Sequence, residues 1–155
     1  MHKKVADKIQ LMKQNRTNTN AFLIHISAFA GLIFPFGQII MPLIAWQTLK
    51  DRSPFLDAHG KEAINFNISY TLYVFILTVF VGGLVMGNFF RNLNGLRDFD
   101  TIKFNLDFQN IFGFLSVGSI ARIIYLIGIA LVIIASLKAK EGESYAYPFT
   151  IKFIK

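Results

Sequence analysis

The sequence predicts an all-α polytopic membrane protein with four membrane-embedded segments, the first two forming a short hairpin broken by proline and glycine. Three observations predict it. Apolar residues come in long blocks, Lys and Arg gather at the edges of those blocks, and one way of threading the blocks through a bilayer puts nearly all of those cations on one side. The bulk numbers agree. Of the 155 residues, 54% are hydrophobic, above the roughly 45–50% of a soluble domain, and the mean hydropathy is +0.48. The formal net charge is +7, but the cations flank apolar blocks and form no stripe on a polar fold, which argues against a nucleic-acid partner. The absence of cysteine excludes disulfides, thiol chemistry and Cys-based zinc sites.

Residues 1–17 read as a basic cytoplasmic tail, with Lys3, Lys4, Lys8, Lys13 and Arg16 against Asp7. Val5, Ile9 and Met12 recur at helical spacing and allow a short surface helix. Residues 18–155 read as a single helical membrane domain. Its first block, residues 21–46, is interrupted by Pro35-Phe36-Gly37 and again by Pro42. Proline inside a helix removes a hydrogen bond and crowds the preceding turn. The block is therefore either one kinked span or two short helices, about 18–34 and 37–50. Residues 50–63 form a polar connector in which Ser53-Pro54 suits a turn. A second, uncharged block covers residues 64–90. Residues 91–110 are polar, and the alternation of Ile102, Phe104, Leu106 and Phe108 with polar residues suggests an extended stretch. The last block, residues 111–137, contains one charge, Arg122. The C-terminal tail alternates Tyr145, Tyr147, Phe149, Ile151 and Phe153, and reads as extended with its aromatics near the headgroups.

Charge separates the two readings of the first block. Cytoplasmic loops carry the excess of Lys and Arg. A single crossing leaves eight cations inside and seven outside, which is no bias. A hairpin leaves twelve inside and three outside, and places both termini in the cytoplasm. Each arm reaches only ~21–25 Å, short of a ~30 Å hydrocarbon core. The hairpin either thins the bilayer or re-enters on the same side, and the count is the same for both.

A few polar residues stand out. Glu62, Asn65, Ser69 and Tyr73 share one helix face, with Asn67 beside them. They line a cytoplasmic vestibule or, more ordinarily, hydrogen-bond neighbouring helices. Gly83 and Gly87 make a GxxxG pair for close helix packing, with Gly118, Ala121 and Gly128 as a matching small-residue surface. Arg122 is an intramembrane charge near the end of its span, able to snorkel outward toward Asp98 or Asp100. Trp46 reads as an interfacial anchor. His2, His25 and His59 lie in separate segments without metal-ligand spacing, and His25 is expected to bond a neighbouring carbonyl. No catalytic constellation and no cofactor or phosphate motif emerges, so an enzyme is not expected.

The stretch His59, Gly60, Lys61, Glu62, Ala63, Asn65 and Phe66, preceded by Ser53-Pro54 and followed by Gly142, Tyr147 and Pro148, resembles a small bacterial membrane family of unknown function. That family is similar to the twenty-kilodalton subunit of the chloroplast inner-envelope import translocon (Tic). The resemblance implies a compact domain of four membrane segments in a bacterial inner membrane. The function expected from it, and from small size and small-residue helix faces, is that of an accessory or scaffolding subunit of a larger membrane complex, one that translocates or inserts proteins. The alternative is a self-assembled transporter or channel built around the Glu62, Asn65 and Ser69 face. The partners expected are the lipid bilayer and other membrane proteins or further copies of the chain.

Overall fold

The computed structural model describes residues 2–94 and 108–155, and every described element is helical. Helix α1 covers His2–Ile26 and runs without a break through the expected boundary at residue 18. A 3-10 turn over Ser27–Leu32 tightens its end, and residues 33–36 reverse the chain into α2, Gly37–Leu49. The hairpin thus forms at Pro35-Phe36-Gly37. Phe36 takes the left-handed conformation (φ 63°), and a Cβ on Gly37 would run into the Ala30 carbonyl, so the two arms close at that spacing only over glycine. The second expected break does not occur. Pro42 lies buried inside α2, where it removes one bond from the ladder while the packed helix carries on around it.

The polar connector is shorter than expected. A single 3-10 turn, Lys50–Arg52, leads to Ser53, and α3 then runs from Pro54 to Asn94. Pro54 opens the helix, where its missing N–H costs nothing, and the Ser53 hydroxyl accepts from the Phe55 N–H at 3.2 Å. Residues 54–63 are polar yet helical because they pack against α1, α2 and α4. Helix α4 covers Phe108–Glu141. It closes on Gly142 (φ 83°), with Glu143 N–H bonded to Lys138 O (3.0 Å) and Gly142 N–H to Ala139 O (3.1 Å), the paired bonds of a Schellman cap. The expected extended stretch lies at residues 95–107, outside the described residues, while residues 91–94 and 108–110 belong to the helices.

Two compact units divide the chain. One comprises residues 1–70 and 128–155, the other residues 71–127. In the first, Ala21 and Ile24 of α1, Leu56 and Ala63 of α3 and Ala139 of α4 bury together. Beside them Ala28, Phe66, Val132, Ala135 and Tyr147 form a second cluster. Trp46 belongs to this packing and is not an interfacial anchor. It is 8% exposed, its indole N–H donates to Asp57 at 2.9 Å, and its ring lies so close to Gly60 that a Cβ there would overlap it.

The second unit is different in kind. Its outward residues include Phe75, Phe80 and Leu126, each more than 60% exposed. Large exposed apolar faces of this sort mark contact with lipid or protein. Two stretches, Pro54–Leu84 and Arg122–Glu141, are long and apolar enough to cross a bilayer. The hairpin arms are not: the 13 residues of α2 reach ~20 Å.

Candidate functional site

The first unit is held together by a buried polar chain. α1 places His25 and α3 places His59 in the core, at 0% and 2% exposure, and Tyr147 of the tail reaches them from the other side. His25 Nδ1 lies 3.0 Å from the Tyr147 hydroxyl, and His25 Nε2 lies 2.8 Å from His59 Nδ1. The rings of His25 and His59 meet edge to face at 5.1 Å, while Tyr147 stacks on Phe66 at 4.0 Å and 10°. The expected carbonyl partner of His25 is replaced by a phenol and a second imidazole.

Proton placement follows from the partners. Burial pushes the Tyr147 phenol well above its ordinary range, and Tyr145 and the Glu62 carboxylate push the same way. Tyr147 therefore keeps its proton. When its hydroxyl donates to His25 Nδ1, His25 carries its proton on Nε2 and donates to His59 Nδ1, and His59 carries its own on Nε2, a buried atom with no hydrogen-bond partner among the described residues. The arrangement is a three-member relay running from the tail, through α1, into α3.

A second set of bonds straps the tail along α3. The Asn65 carboxamide oxygen accepts from the N–H of Phe153 (3.1 Å) and of Ile154 (2.8 Å), and its nitrogen donates to Ile154 O (2.9 Å). The Ser69 hydroxyl accepts from Ile151 N–H at 2.9 Å and donates to Asn65 O at 2.7 Å. The tail turns at residues 148–149, where Phe149 takes the left-handed conformation (φ 57°), and Tyr147 is buried in protein and not placed at headgroups, whereas Phe149 is exposed. Where the tail meets α1, the Asn18 carboxamide, oriented to satisfy both of its groups, accepts from Gly142 N–H (3.2 Å) and donates to Gln14 O (3.2 Å).

The predicted residues divide accordingly. Asn65 and Ser69 are buried and bonded to the tail, so they do not face a vestibule. Asn67 is buried and donates to Ala63 O at 2.7 Å. Glu62 lies 3.7 Å from Lys152, with its second carboxylate oxygen buried. Tyr73 is exposed and belongs to the second unit. Lys61 pairs with Asp57 at 2.6 Å. Gly128 packs directly on Tyr70, whose ring would lie 2.8 Å from an added Cβ. Among the described residues, an added Cβ at Gly83 or Gly87 would meet nothing within 4 Å; the side-chain positions of Gly118 and Ala121, their expected partners, lie outside the described residues. Arg122 is exposed on α4, and Asp98 and Asp100 are outside the described residues. Pro148 is exposed beside the buried Tyr147.

Sequence reasoning missed the His25–His59–Tyr147 cluster because its members are 34 and 122 residues apart. One signal was present. Each histidine sits on a helix beside an apolar block, and a buried imidazole needs a partner. Two such residues with no local partner could have been paired with each other. Among the described residues no group of three His, Cys, Asp or Glu side chains gathers as metal ligands.

Residues 16–154 match the family model MamF_MmsF, described as the magnetosome magnetite crystal formation protein family. The match covers the hairpin, both long helices and the tail. It overturns the resemblance to the chloroplast import translocon: the residues that suggested it, His59-Gly60 through Phe66 with Gly142 and Tyr147-Pro148, build the Trp46 contact, the helix cap and the buried relay, which are packing features and not marks of protein import. No curated protein and no solved structure matches the chain.

Proposed function

The chain belongs to the magnetosome magnetite crystal formation protein family, and from that premise we propose that it is a multi-pass scaffold in the membrane at which magnetite forms. It works without chemistry of its own, through the lipid bilayer and through contacts with further copies or other membrane proteins. Both termini lie on the cytoplasmic side of that membrane.

The observation that carries this reading is how the buried polar groups are used. His25, His59, Tyr147, Asn65 and Ser69 bond to one another and to the tail. They hold the two ends of the chain against α3, and Asn65 and Ser69 are covered by the tail backbone. A constellation closed on itself suits rigidity better than turnover or solute passage. The placement of charge supports the orientation, with twelve cations on the segments assigned to the cytoplasm and three opposite. The exposed apolar tip of the hairpin, Ile33, Phe34 and Phe36, supports contact with lipid.

The test is deletion of the coding sequence in a magnetite-forming bacterium, with crystal size and shape measured by electron microscopy. The expected result is altered crystals, restored by the wild-type chain but not by a Gly60→Val chain that cannot pack its first unit. Crystals indistinguishable from the parent's would overturn the reading.

A further inference from the structure

Helix α1 presents an outward face on which apolar residues recur, interrupted between Arg16 and Leu23 by Thr19 and Asn20. Val5, Ile9, Met12, Arg16 and Leu23 follow one another at spacings of four, three, four and seven, which keeps them on one face of a helix. Its four apolar members are between 48% and 64% exposed. The opposite face is the one the protein uses: Ala21, Ile24 and His25 are buried in the core, and Gln10, Lys13, Gln14, Thr17 and Asn18 line a polar cleft with Phe55 and Gly142. The apolar stripe therefore points away from the protein's own body. Leu11, also exposed, stands off the stripe.

Charge says what the stripe meets. Lys3, Lys4, Lys8, Lys13 and Arg16 face a single carboxylate, Asp7, along the same helix. A second copy of so cationic a helix would be repelled. An anionic bilayer is complementary: its headgroups attract the cations and its outer acyl region takes the apolar side chains. Arg16, within the stripe, can lay its aliphatic stem along the apolar face and lift its guanidinium to the phosphates.

We propose that α1 is an interfacial helix, lying along the membrane with Val5, Ile9, Met12 and Leu23 in the headgroup layer and Lys4, Lys8 and Arg16 paired with anionic lipid. This rests on the membrane placement proposed above and adds a surface contact to it. The first unit is then held to the bilayer both by the spans and by α1, which fixes how it faces the membrane.

The chain has no cysteine, so single labels can be placed cleanly. Full-length Ile9→Cys and Gln10→Cys chains would carry a polarity-sensitive fluorophore in vesicles of phosphatidylcholine, with and without phosphatidylglycerol. The expected result is a blue shift, and quenching by brominated lipid, for the Ile9 position in anionic vesicles only, and neither effect at Gln10 on the opposite face. Combining Lys4→Glu, Lys8→Glu and Arg16→Glu with the Ile9 label is expected to abolish the shift while the circular dichroism stays unchanged. A water-like Ile9 signal in anionic vesicles overturns the proposal. So does a shift equal in both lipids, or one that appears only at high protein-to-lipid ratio, the mark of a second copy. Alkaline carbonate extraction separates the two readings. A chain retained in the membrane with a water-exposed Ile9 label loses only the interfacial helix, whereas a chain released by carbonate loses the membrane placement as well.

Discussion

Helix α3 belongs to both units, and its two parts are built for different surroundings. Between residues 54 and 70 it carries Gly60, His59, Asn65 and Ser69, every one in contact with another element. From residue 71 onward it exposes Phe75, Val79, Phe80 and Leu84, and its glycines Gly82, Gly83 and Gly87 touch nothing within 4 Å of an added Cβ. One helix thus shows glycine in two roles. At Gly60 the missing side chain is a packing necessity. At Gly83 and Gly87 no described residue comes within 4 Å of an added Cβ. Polar residues likewise concentrate where partners exist, because a buried polar group without a partner costs about 1–3 kcal/mol.

The comparison breaks most sharply at Gly60. Gly60→Val should force α3 away from Trp46 and destabilise the first unit by about 3 kcal/mol or more, the upper end for overpacking a rigid contact. Loss of the cooperative thermal transition in mild detergent would register it; an unchanged midpoint would mean that α2 and α3 do not meet as described. Next in size is Asn65→Leu. It removes three bonds to the tail and strands their backbone partners, for an expected loss of about 2–3 kcal/mol. Limited proteolysis should then cleave the tail near residue 150 well before the helices, whereas a tail as resistant as in the wild type would contradict the strap.

Tyr147→Phe keeps the stack on Phe66 and deletes only the donor to His25, so the expected cost is about 1–2 kcal/mol. The informative readout is the imidazole NMR spectrum, in which the tautomer preference of His25 should relax. Unaltered His25 signals would remove Tyr147 from the relay. The smallest effect belongs to the second glycine pair. Gly83→Ala and Gly87→Ala meet no described neighbour and should raise stability by no more than about 1 kcal/mol, through helix propensity alone. A destabilisation of the isolated chain would show that this face is packed after all, whereas a loss of self-association at unchanged stability would assign it to a second copy.

Much of the helical framework was legible in the residues. The break at Pro35-Phe36-Gly37 follows from φ restriction and glycine freedom, and the apolar runs before residue 90 and after residue 111 mark the two long helices. Both are local properties, carried by composition and spacing. The extent of those helices was less legible. Residues 54–63 looked like a connector because charge and histidine dominate them, and only their packing on α1, α2 and α4 makes a polar helix worthwhile there.

The sequence by itself determined that this chain is helical, rich in apolar surface, divided by basic segments and without thiol chemistry, because those properties depend on residue type and short-range order. Tertiary structure alone decided that His25, His59 and Tyr147 form one chain of hydrogen bonds, that the tail covers Asn65 and Ser69, and that the fold requires glycine at residue 60, against Trp46. Each of these depends on which distant segments share a core. A buried polar or glycine residue states that it needs a partner or a space, but its identity does not say which of the other residues supplies it.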